Sequence, residues 1–258
     1  MILVSLLATL SLVVSATLAT IFIGSACVIA ALLRMEDRAG APYDYLPRWW
    51  SRMVLAATGV RITVHNRERA TDGNPHIFVA NHMSWYDVPT LSSFLPRAKF
   101  VTKAELFKIP VFGAAMRAVG MVPIERQNRK AAFGSYDEAA KRIQDGNSIV
   151  VFPEGTRGVE YPLRQFKKGP FVLAIQAGAP VVPVLIYGAR EVLPRNSLLV
   201  RPGRVHVHLL EPVSVEGLGY EDRDTLAGQV RARIASELAS RYGIESPPHV
   251  ARSAATPE

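Results

Sequence analysis

The sequence has 258 residues, of which 49% are hydrophobic, and carries a formal net charge of +8 at pH 7. A chain of this length can bury one substantial core, so we expect one main domain with an appendage. The positive charge suits an anionic surface or substrate, but no basic run with interleaved aromatic residues and no nucleic-acid-binding module is recognisable. The single cysteine, Cys27, lies in an apolar stretch. It excludes an intrachain disulfide and a mechanism based on cysteine.

Residues 1–33 contain no Asp, Glu, Lys or Arg. This stretch exceeds the roughly 20 apolar residues that a membrane span needs. It lacks a basic leading region and is longer than the apolar core of a cleavable signal peptide, so we interpret it as a membrane segment. A span, a hairpin about Gly24 and a helix lying in one leaflet all fit the sequence.

Four arginines follow this segment directly: Arg34, Arg38, Arg48 and Arg52. By the positive-inside rule they predict a membrane-anchored protein whose C-terminal bulk lies on the cytoplasmic side of the cell membrane. Trp49 and Trp50 are placed as an interfacial aromatic belt would be, and a helix over residues 46–58 could lie along the lipid headgroups.

The rest of the chain alternates between strand and helix patterns. Strands are predicted at residues 61–65, 77–80, 99–102, 121–123, 148–152, 181–187 and 205–210. Helices are predicted at residues 88–95, 111–119, 130–144, 170–177 and 223–242. This alternation predicts an α/β fold with a largely parallel sheet covered by helices. We divide the chain into a membrane-associating segment (1–58), an α/β domain (59–245) and a disordered tail (246–258).

The most informative stretch is Asn81 to Asp87, which follows the predicted strand at residues 77–80. Ligands of α/β sheets bind beyond the carboxyl ends of the strands, so His82 lies where chemistry is expected. Because Pro89 is tolerated only in a first helical turn, the next helix should begin between Ser84 and Asp87. Asp87 can then fold back, accept a proton from one imidazole nitrogen of His82 and leave the other nitrogen as a general base.

Two other interpretations of this stretch stay open from the spacing. Asp87 could simply cap the helix, alone or as the acidic end of a Ser84-x-x-Asp87 box. Ser84 could be a nucleophile, but it lies two residues from its base and no Gly-x-Ser-x-Gly elbow occurs, so we interpret it as a capping residue.

A second polar stretch, Phe152 to Arg157, also follows a predicted strand. Glycine lets a backbone approach a ligand, Thr156 offers a hydroxyl, and the planar fork of Arg157 suits a phosphate. Arg126 follows another strand, and Lys167, Lys168 and Gly169 open a helix whose amides could bind an anion. Singly, these charges are typical of a solvated surface. Together they favour an anionic substrate. His206 and His208 share a strand face, but no metal site is predicted because no acidic or cysteine ligand lies nearby in sequence.

These stretches resemble the glycerolipid acyltransferase family, and most closely the 1-acyl-sn-glycerol-3-phosphate acyltransferases. Four family blocks occur in order: Asn81–Asp87, Gly120–Arg126, Phe152–Arg157 and Val181–Val184. The sequence Phe166–Gly169 also matches. Gly158 stands where many members have serine, and Glu125 where many have aspartate.

The resemblance implies that His82 is the base and Asp87 its orienting partner. It implies that the glycerol phosphate of lysophosphatidate is bound by Arg126, Glu154, Gly155, Thr156 and Arg157, and the matching Lys168 and Gly169 are added as binding candidates. It further implies transfer of a fatty acyl group from acyl-CoA or an acylated carrier protein, with no other cofactor, giving phosphatidate in phospholipid synthesis, and membrane lipids as partners. A different lysolipid or amino-acid lipid as acceptor, a thioester or lipid hydrolase, and a non-catalytic membrane-binding module are the alternatives.

Overall fold

The computed structural model describes residues 2–125 and 129–249, with the side chains of residues 129–133 left aside. A seven-stranded sheet forms the centre of the body, in the order β1-β7-β6-β2-β5-β3-β4. The strands are β1 Val60–His65, β2 Ile77–Ala80, β3 Ala98–Lys103, β4 Val122–Ile124, β5 Ser148–Val151, β6 Val181–Tyr187 and β7 Gly203–Leu209. Neighbouring strands run parallel except for the β6–β7 pair, which is antiparallel. The predicted α/β architecture is confirmed.

Helices cover both faces of this sheet. They are α1 Ile2–Ala19, α2 Ser25–Leu32, α3 Pro42–Ala57, α4 Asp87–Ser92, α5 Phe112–Ala118, α6 Arg129–Gln144, α7 Gly169–Ala177, α8 Ala189–Val192 and α9 Arg223–Tyr242. Short 3₁₀ turns occur at Arg67–Ala70, Ala104–Lys108 and Tyr220–Asp222. One face carries α6, α7 and α9, and the other carries α1, α3 and α4.

The central strand β2 shows why the sequence folds this way. Ile77 and Val79 face the core beneath α7 and α9, while Phe78 and Ala80 face the opposite core, and all four are fully buried. A strand buried on both faces reads as a continuous apolar run, as parallel strands between helical layers do.

The N-terminal apolar segment is one continuous helix rather than a hairpin. A π-helical turn at Thr20–Gly24 joins α1 to α2, and the backbone at Gly24 stays helical. The resulting helix, Ile2–Leu32, is long and apolar enough to cross a membrane by length and composition, with 17% of its most apolar window buried. The next helix, α3, begins at Pro42, four residues before its predicted start, and continues through Pro47.

Most other predicted elements agree with the structure to within a few residues. The last helix ends at Tyr242 and is followed by Gly243 in a left-handed conformation with φ of +67°, the usual C-cap. In the predicted tail, Ser246 accepts a hydrogen bond from the Leu163 amide and the Pro248 carbonyl accepts one from Gln165. The rest of that tail lies outside the described residues.

Two basic side chains, Lys99 and Arg97, attach the link between the N-terminal helix and α3 to the sheet. Lys99 of β3 is almost fully buried and pairs with Asp37 at 2.9 Å. Burial lowers the pKa of the Lys99 ammonium, and the charge of Asp37 acts in the opposite direction. Arg97 donates to the carbonyl oxygens of Asp37 and Asp145.

Gly169 at the start of α7 allows that helix to pack against α6. A Cβ atom on Gly169 would lie 2.3 Å from the Tyr136 ring, whereas a Cβ on Gly134, in the same α6 helix, would meet nothing within 4 Å. The first glycine is required by packing, and the second is not.

We therefore expect opposite effects from two glycine substitutions. Gly169→Ala should destabilise the protein by about 1–3 kcal/mol, as overpacking does. Gly134→Ala should stabilise it by about 0.5–1 kcal/mol, because alanine loses less backbone freedom in a helix. Thermal unfolding of both variants in the same detergent measures this. Equal melting temperatures for the two would contradict the packing role of Gly169.

Candidate active site

Two polar loops meet at the carboxyl edge of the sheet because their strands are neighbours. β2 and β5 are parallel and in register from Ile77–Ile149 to Val79–Val151. The residues that follow them, Asn81 to Asp87 and Phe152 to Arg157, therefore leave the sheet side by side. This arrangement matches the expectation that ligands lie beyond the strand ends of an α/β sheet.

Asn81 extends the sheet by one side chain. Its amide nitrogen donates to the Ile186 carbonyl at 2.9 Å, and its carbonyl oxygen accepts from the Ile186 amide at 2.7 Å. The Asn81 side-chain amide thus replaces a backbone peptide group in the hydrogen bonding between β2 and β6. Because Asn81 is fully buried, these bonds fix the point at which the chain leaves the sheet.

The Asp87 carboxylate organises the loop between β2 and α4. It is fully buried, and its Oδ2 atom accepts hydrogen bonds from His82 Nδ1 at 2.8 Å, the Met83 amide at 2.7 Å and the Ser84 amide at 2.8 Å. Its Oδ1 atom has no hydrogen-bond partner among the described residues. Asp87 begins α4, as predicted, and it binds both the loop amides and the imidazole, so the capping and orienting interpretations describe one arrangement.

The His82 ring is held on two sides. Asp87 fixes Nδ1, and the Phe152 ring stacks on the imidazole with centroids 4.1 Å apart and planes inclined by 20°. Because a carboxylate can only accept, the neutral ring carries its proton on Nδ1 and leaves Nε2 as a proton acceptor. His82 also lines the large cavity described below.

The backbone of His82 joins the two loops. Its amide donates to Glu154 Oε1 at 3.0 Å, and its carbonyl accepts from the Gly158 amide at 2.7 Å. A Cβ atom on Gly158 would lie 2.9 Å from Met83 Sδ, so Met83 fills the space beside this glycine. The Glu154 side chain is buried, so its hydrogen bond to the His82 amide is shielded from water and fixes the backbone of His82.

Two arginines that the sequence analysis did not single out support Glu154. Arg164 Nε donates to Glu154 Oε2 at 3.0 Å, and its Nη2 donates to the Thr156 carbonyl. Arg231 of α9, only 2% exposed, donates to the carbonyl oxygens of Arg164 at 3.0 Å and Leu163 at 2.6 Å. Burial lowers the pKa of the Arg231 guanidinium, and the Glu154 charge acts in the opposite direction. A basic residue on the otherwise apolar face of α9, between Ala227, Val230 and Ile234, is the sequence signal that could have found Arg231.

The remaining predicted binding residues divide into two groups. Thr156 and Arg157 line the same cavity as His82, and Gly155 beside them has a left-handed φ of +77° that allows the turn. Arg126 lies outside the described residues.

Lys168 and Gly169 have partners on the helical layer instead. Lys168 Nζ pairs with Asp224 of α9 at 2.6 Å, and Gly169 packs on Tyr136. The structure therefore brings together His82, Asp87, Glu154, Thr156 and Arg157, but gives Lys168 and Gly169 contacts with neighbouring helices.

The Ser84 hydroxyl is engaged by two backbone groups. It donates to the Leu193 carbonyl at 2.8 Å and accepts from the Tyr86 amide at 3.2 Å. Ser84 is fully buried, so both bonds are protected from water. This geometry agrees with a capping and bracing role and not with a nucleophile activated by His82.

A cavity of about 820 Å³ adjoins these residues. Its polar lining includes His82, Thr156 and Arg157. Its apolar lining comes from the N-terminal helix, α3, α4 and α5, and includes Ile21, Trp50, Trp85, Phe112 and Met116. The Trp50 indole donates to Thr20 at 3.1 Å and so attaches the N-terminal helix to this wall. A few polar groups in a largely apolar cavity of this size are typical of a ligand site.

The two histidines of β7 belong to a separate cluster at the edge of the sheet. His65 of β1 stacks on His208 with centroids 4.2 Å apart, and its Nε2 lies 3.4 Å from His206 Nδ1. His208 also bonds the Tyr242 hydroxyl at 2.8 Å. Burial lowers the pKa of His208 to about 4. His208 therefore stays neutral at physiological pH, and the three rings pack β1 against β7.

Comparison with known proteins shows the family to which the chain belongs. The model of the Acyltransferase family matches residues 61–187. A chloroplast 1-acyl-sn-glycerol-3-phosphate acyltransferase of Brassica napus is 34% identical over 64% of this chain and 46% of its own length. A lyso-ornithine lipid O-acyltransferase of Pseudomonas aeruginosa is 30% identical over 81% of this chain and 83% of its own length.

A solved structure extends the similarity to nearly the whole chain. The crystal structure of the 1-acyl-sn-glycerophosphate acyltransferase PlsC from Thermotoga maritima superposes with a TM-score of 0.79 at 28% identity, covering 94% of this chain and 98% of that one. The chain spans about half the length of the plant relatives that it matches. From the matched region, the fold and these relatives together, the chain belongs to the acyltransferase family that includes the 1-acyl-sn-glycerol-3-phosphate acyltransferases.

Proposed function

We propose that the protein transfers a fatty acyl group from a thioester donor to the free hydroxyl of 1-acyl-sn-glycerol-3-phosphate, giving phosphatidate. The observation that carries this proposal is the His82–Asp87 pair, whose free imidazole nitrogen shares one cavity with Thr156, Arg157 and an apolar wall. Such a cavity suits a reactant with a charged head and a fatty chain. The names of several relatives point to the same reaction.

In the proposed mechanism His82 is the general base. Its Nε2 removes the proton from the acceptor hydroxyl as that oxygen attacks the thioester carbonyl, and the thiolate of the donor leaves. The imidazolium that forms is stabilised by the buried carboxylate of Asp87 at 2.8 Å. A positioned base typically contributes about 10² to 10⁴ in rate. The mechanism includes no acyl-enzyme, because the hydroxyl of Ser84, the candidate nucleophile, donates its hydrogen bond to the Leu193 carbonyl.

Recognition of the glycerol phosphate is assigned to the loop after β5. Arg157 offers a planar fork for a phosphate, and Thr156 offers a hydroxyl beside it. Glu154 and Gly155 shape the loop, and Arg126 is a further cation of the proposed acceptor site, whereas Lys168 is paired with Asp224 of α9. The apolar part of the 820 Å³ cavity takes fatty chains. The acyl donor is acyl-CoA or an acylated carrier protein, whose acidic surface would suit a protein of net charge +8.

We propose that the N-terminal helix lies in one leaflet of the membrane. It is attached to the body from Ala8, in the core beside α3, to Ala30, in a cluster with Tyr43 and Val119. These 22 residues correspond to about 33 Å of helix, close to the roughly 30 Å of a bilayer core, so a spanning helix would carry the body into the membrane. Its outward face stays apolar and exposed at Leu6, Leu10, Val13, Leu18 and Phe22. The arginines that follow favour the cytoplasmic side.

A lyso-ornithine lipid is the second candidate acceptor, because the lyso-ornithine lipid acyltransferase matches this chain over 83% of its own length. An amino-acid headgroup would need the same base but carries no phosphate, so it offers the fork of Arg157 less negative charge. The two acceptors therefore differ in their dependence on Arg157.

The base assignment predicts the behaviour of His82→Ala. Acyl transfer to lysophosphatidate should fall by at least about 10²-fold, because the proposed proton acceptor is removed. The melting temperature should stay close to that of the parent, because one edge of the imidazole already faces the cavity and Asp87 keeps its bonds to the Met83 and Ser84 amides. Initial rates with labelled donor measure the loss. Residual activity within tenfold of the parent, with the fold intact, would rule out His82 as the base.

The phosphate assignment predicts a selective effect of Arg157→Ala. The apparent KM for lysophosphatidate should rise at least about tenfold, as expected for a lost charge-assisted bond of about 1.5–3 kcal/mol. Use of a lyso-ornithine lipid should change less. Arg233→Ala is the matched control, because this arginine of α9 bonds the carbonyl oxygens of Glu211 and Pro212. Equal changes for both acceptors would exclude phosphate recognition by Arg157.

The support of Glu154 predicts that Arg164 is a positioning residue. Arg164→Leu should lower kcat by up to about a hundredfold, because small displacements of catalytic groups are costly, while Arg233→Leu should have little effect. Arg164→Lys, which retains a donor for Glu154, should restore part of the rate. If Arg164→Leu altered only thermal stability and left kcat unchanged, the arginine would be structural alone.

A further inference from the structure

The loop between α8 and β7, residues 193–202, carries an exposed pair of leucines at its tip. Leu198 is 88% exposed, the largest value for a large hydrophobic side chain in the described parts of the chain, and Leu199 is 37% exposed. Hydrogen bonds within the loop order it. The Ser197 hydroxyl accepts a hydrogen bond from the Leu199 amide at 3.0 Å, and the Ser197 amide donates one to the Pro194 carbonyl. The apolar tip is therefore presented by a defined turn.

This loop continues the apolar face of the N-terminal helix. The Val200 amide donates to Thr9 Oγ1 of α1 at 2.9 Å, and Val200 is fully buried in the same core as Ala8. Leu198 and Leu199 thus precede by two residues and one residue the point at which the loop is bonded to the N-terminal helix, whose outward side is also apolar. Two exposed arginines, Arg195 and Arg201, lie on either side of the tip.

The same loop is bonded to the candidate active site. Arg195 donates from a guanidinium nitrogen to the Arg157 carbonyl at 2.7 Å. Arg157 in turn lines the cavity next to His82. The loop that carries the leucine tip is therefore hydrogen-bonded, through Arg195, to the backbone of the proposed phosphate-binding residue.

We propose that this loop is a second membrane contact, in which Leu198 and Leu199 enter the acyl region of an anionic phospholipid bilayer while Arg195 and Arg201 bind its headgroups. The proposal rests on the membrane location in the proposed function and goes beyond it by assigning an anchor outside the N-terminal helix. Apolar side chains bordered by arginines match the apolar interior and charged surface of such a bilayer. Through Arg195, the contact sets the depth of Arg157 near the headgroups.

A bilayer fits this tip better than a protein partner does. A stable protein interface needs about 20–30 residues on each side, whereas this tip offers two leucines. Its neighbour is the lipid-facing side of the N-terminal helix, so both would meet the same surface. The positive charge of the flanking arginines is complementary to anionic lipid.

A fluorescent probe at Leu198 tests the proposal directly. In a full-length Cys27→Ala background, Leu198→Cys would carry an environment-sensitive label, and Tyr220→Cys would be the matched control. Tyr220 is 54% exposed and belongs to the turn beside α7 and α9, on the other side of the sheet. With phosphatidylglycerol-containing vesicles, the Leu198 label should shift to the blue and be quenched by bromolipids, and the Tyr220 label should not.

Other outcomes overturn the proposal in distinguishable ways. If the protein sediments with vesicles but the Leu198 label stays in water, only the second contact is wrong. If the protein does not sediment with vesicles, the proposed membrane location fails as well. A blue shift that needs no vesicles and grows with protein concentration would assign the tip to a second copy of the chain.

Substitution gives a quantitative check on the same contact. Leu198→Asp with Leu199→Asp should weaken partitioning onto the anionic vesicles by about tenfold or more, because each buried leucine side chain favours the apolar phase. Tyr220→Asp should leave partitioning unchanged. An unchanged partition coefficient in the double variant would overturn the proposal even if the label shifted.

Discussion

The buried carboxylate of Asp87 is the constraint on which the site depends. A charge with no exposed surface is costly unless it is hydrogen-bonded, and Oδ2 accepts three bonds from the loop that precedes it. Satisfying this charge forces the loop to wrap around the start of α4. The wrapping brings the His82 ring into contact with the carboxylate and turns its second nitrogen towards the cavity. Folding of the loop and orientation of the proposed base are thus one physical event.

The rest of the fold keeps this loop in place from three directions. Asn81 ties its beginning to β6, and Phe152 stacks on the imidazole. Glu154 accepts the His82 amide and is itself held by Arg164, whose backbone is bonded by the buried Arg231 of α9. Since α9 lies beyond the region matched by the family model, residues far along the chain support the two loops that the family shares.

The sequence was sufficient where local rules apply. The apolar run of β2, the position of Pro89 and the spacing of His82 and Asp87 predict the strand, the helix start and the pair, and all three are found in the structure. Contacts between distant segments were not predictable in this way. The bonds of Arg231 to residues 163–164 span almost 70 positions, and the partner of Lys168 on α9 depends on how two helices pack. Likewise, composition indicates a membrane segment, but only packing shows that the helix lies along the body.

Product analysis with the wild-type protein tests the proposed acyl transfer to lysophosphatidate. Purified protein in phospholipid vesicles would receive labelled acyl-CoA or acylated carrier protein together with lysophosphatidate and a lyso-ornithine lipid, and the lipids would be separated. We expect labelled phosphatidate as the main product, formed only when lysophosphatidate is present. Label found only in the ornithine lipid would contradict the acceptor assignment, and release of free fatty acid without any acceptor dependence would contradict acyl transfer itself.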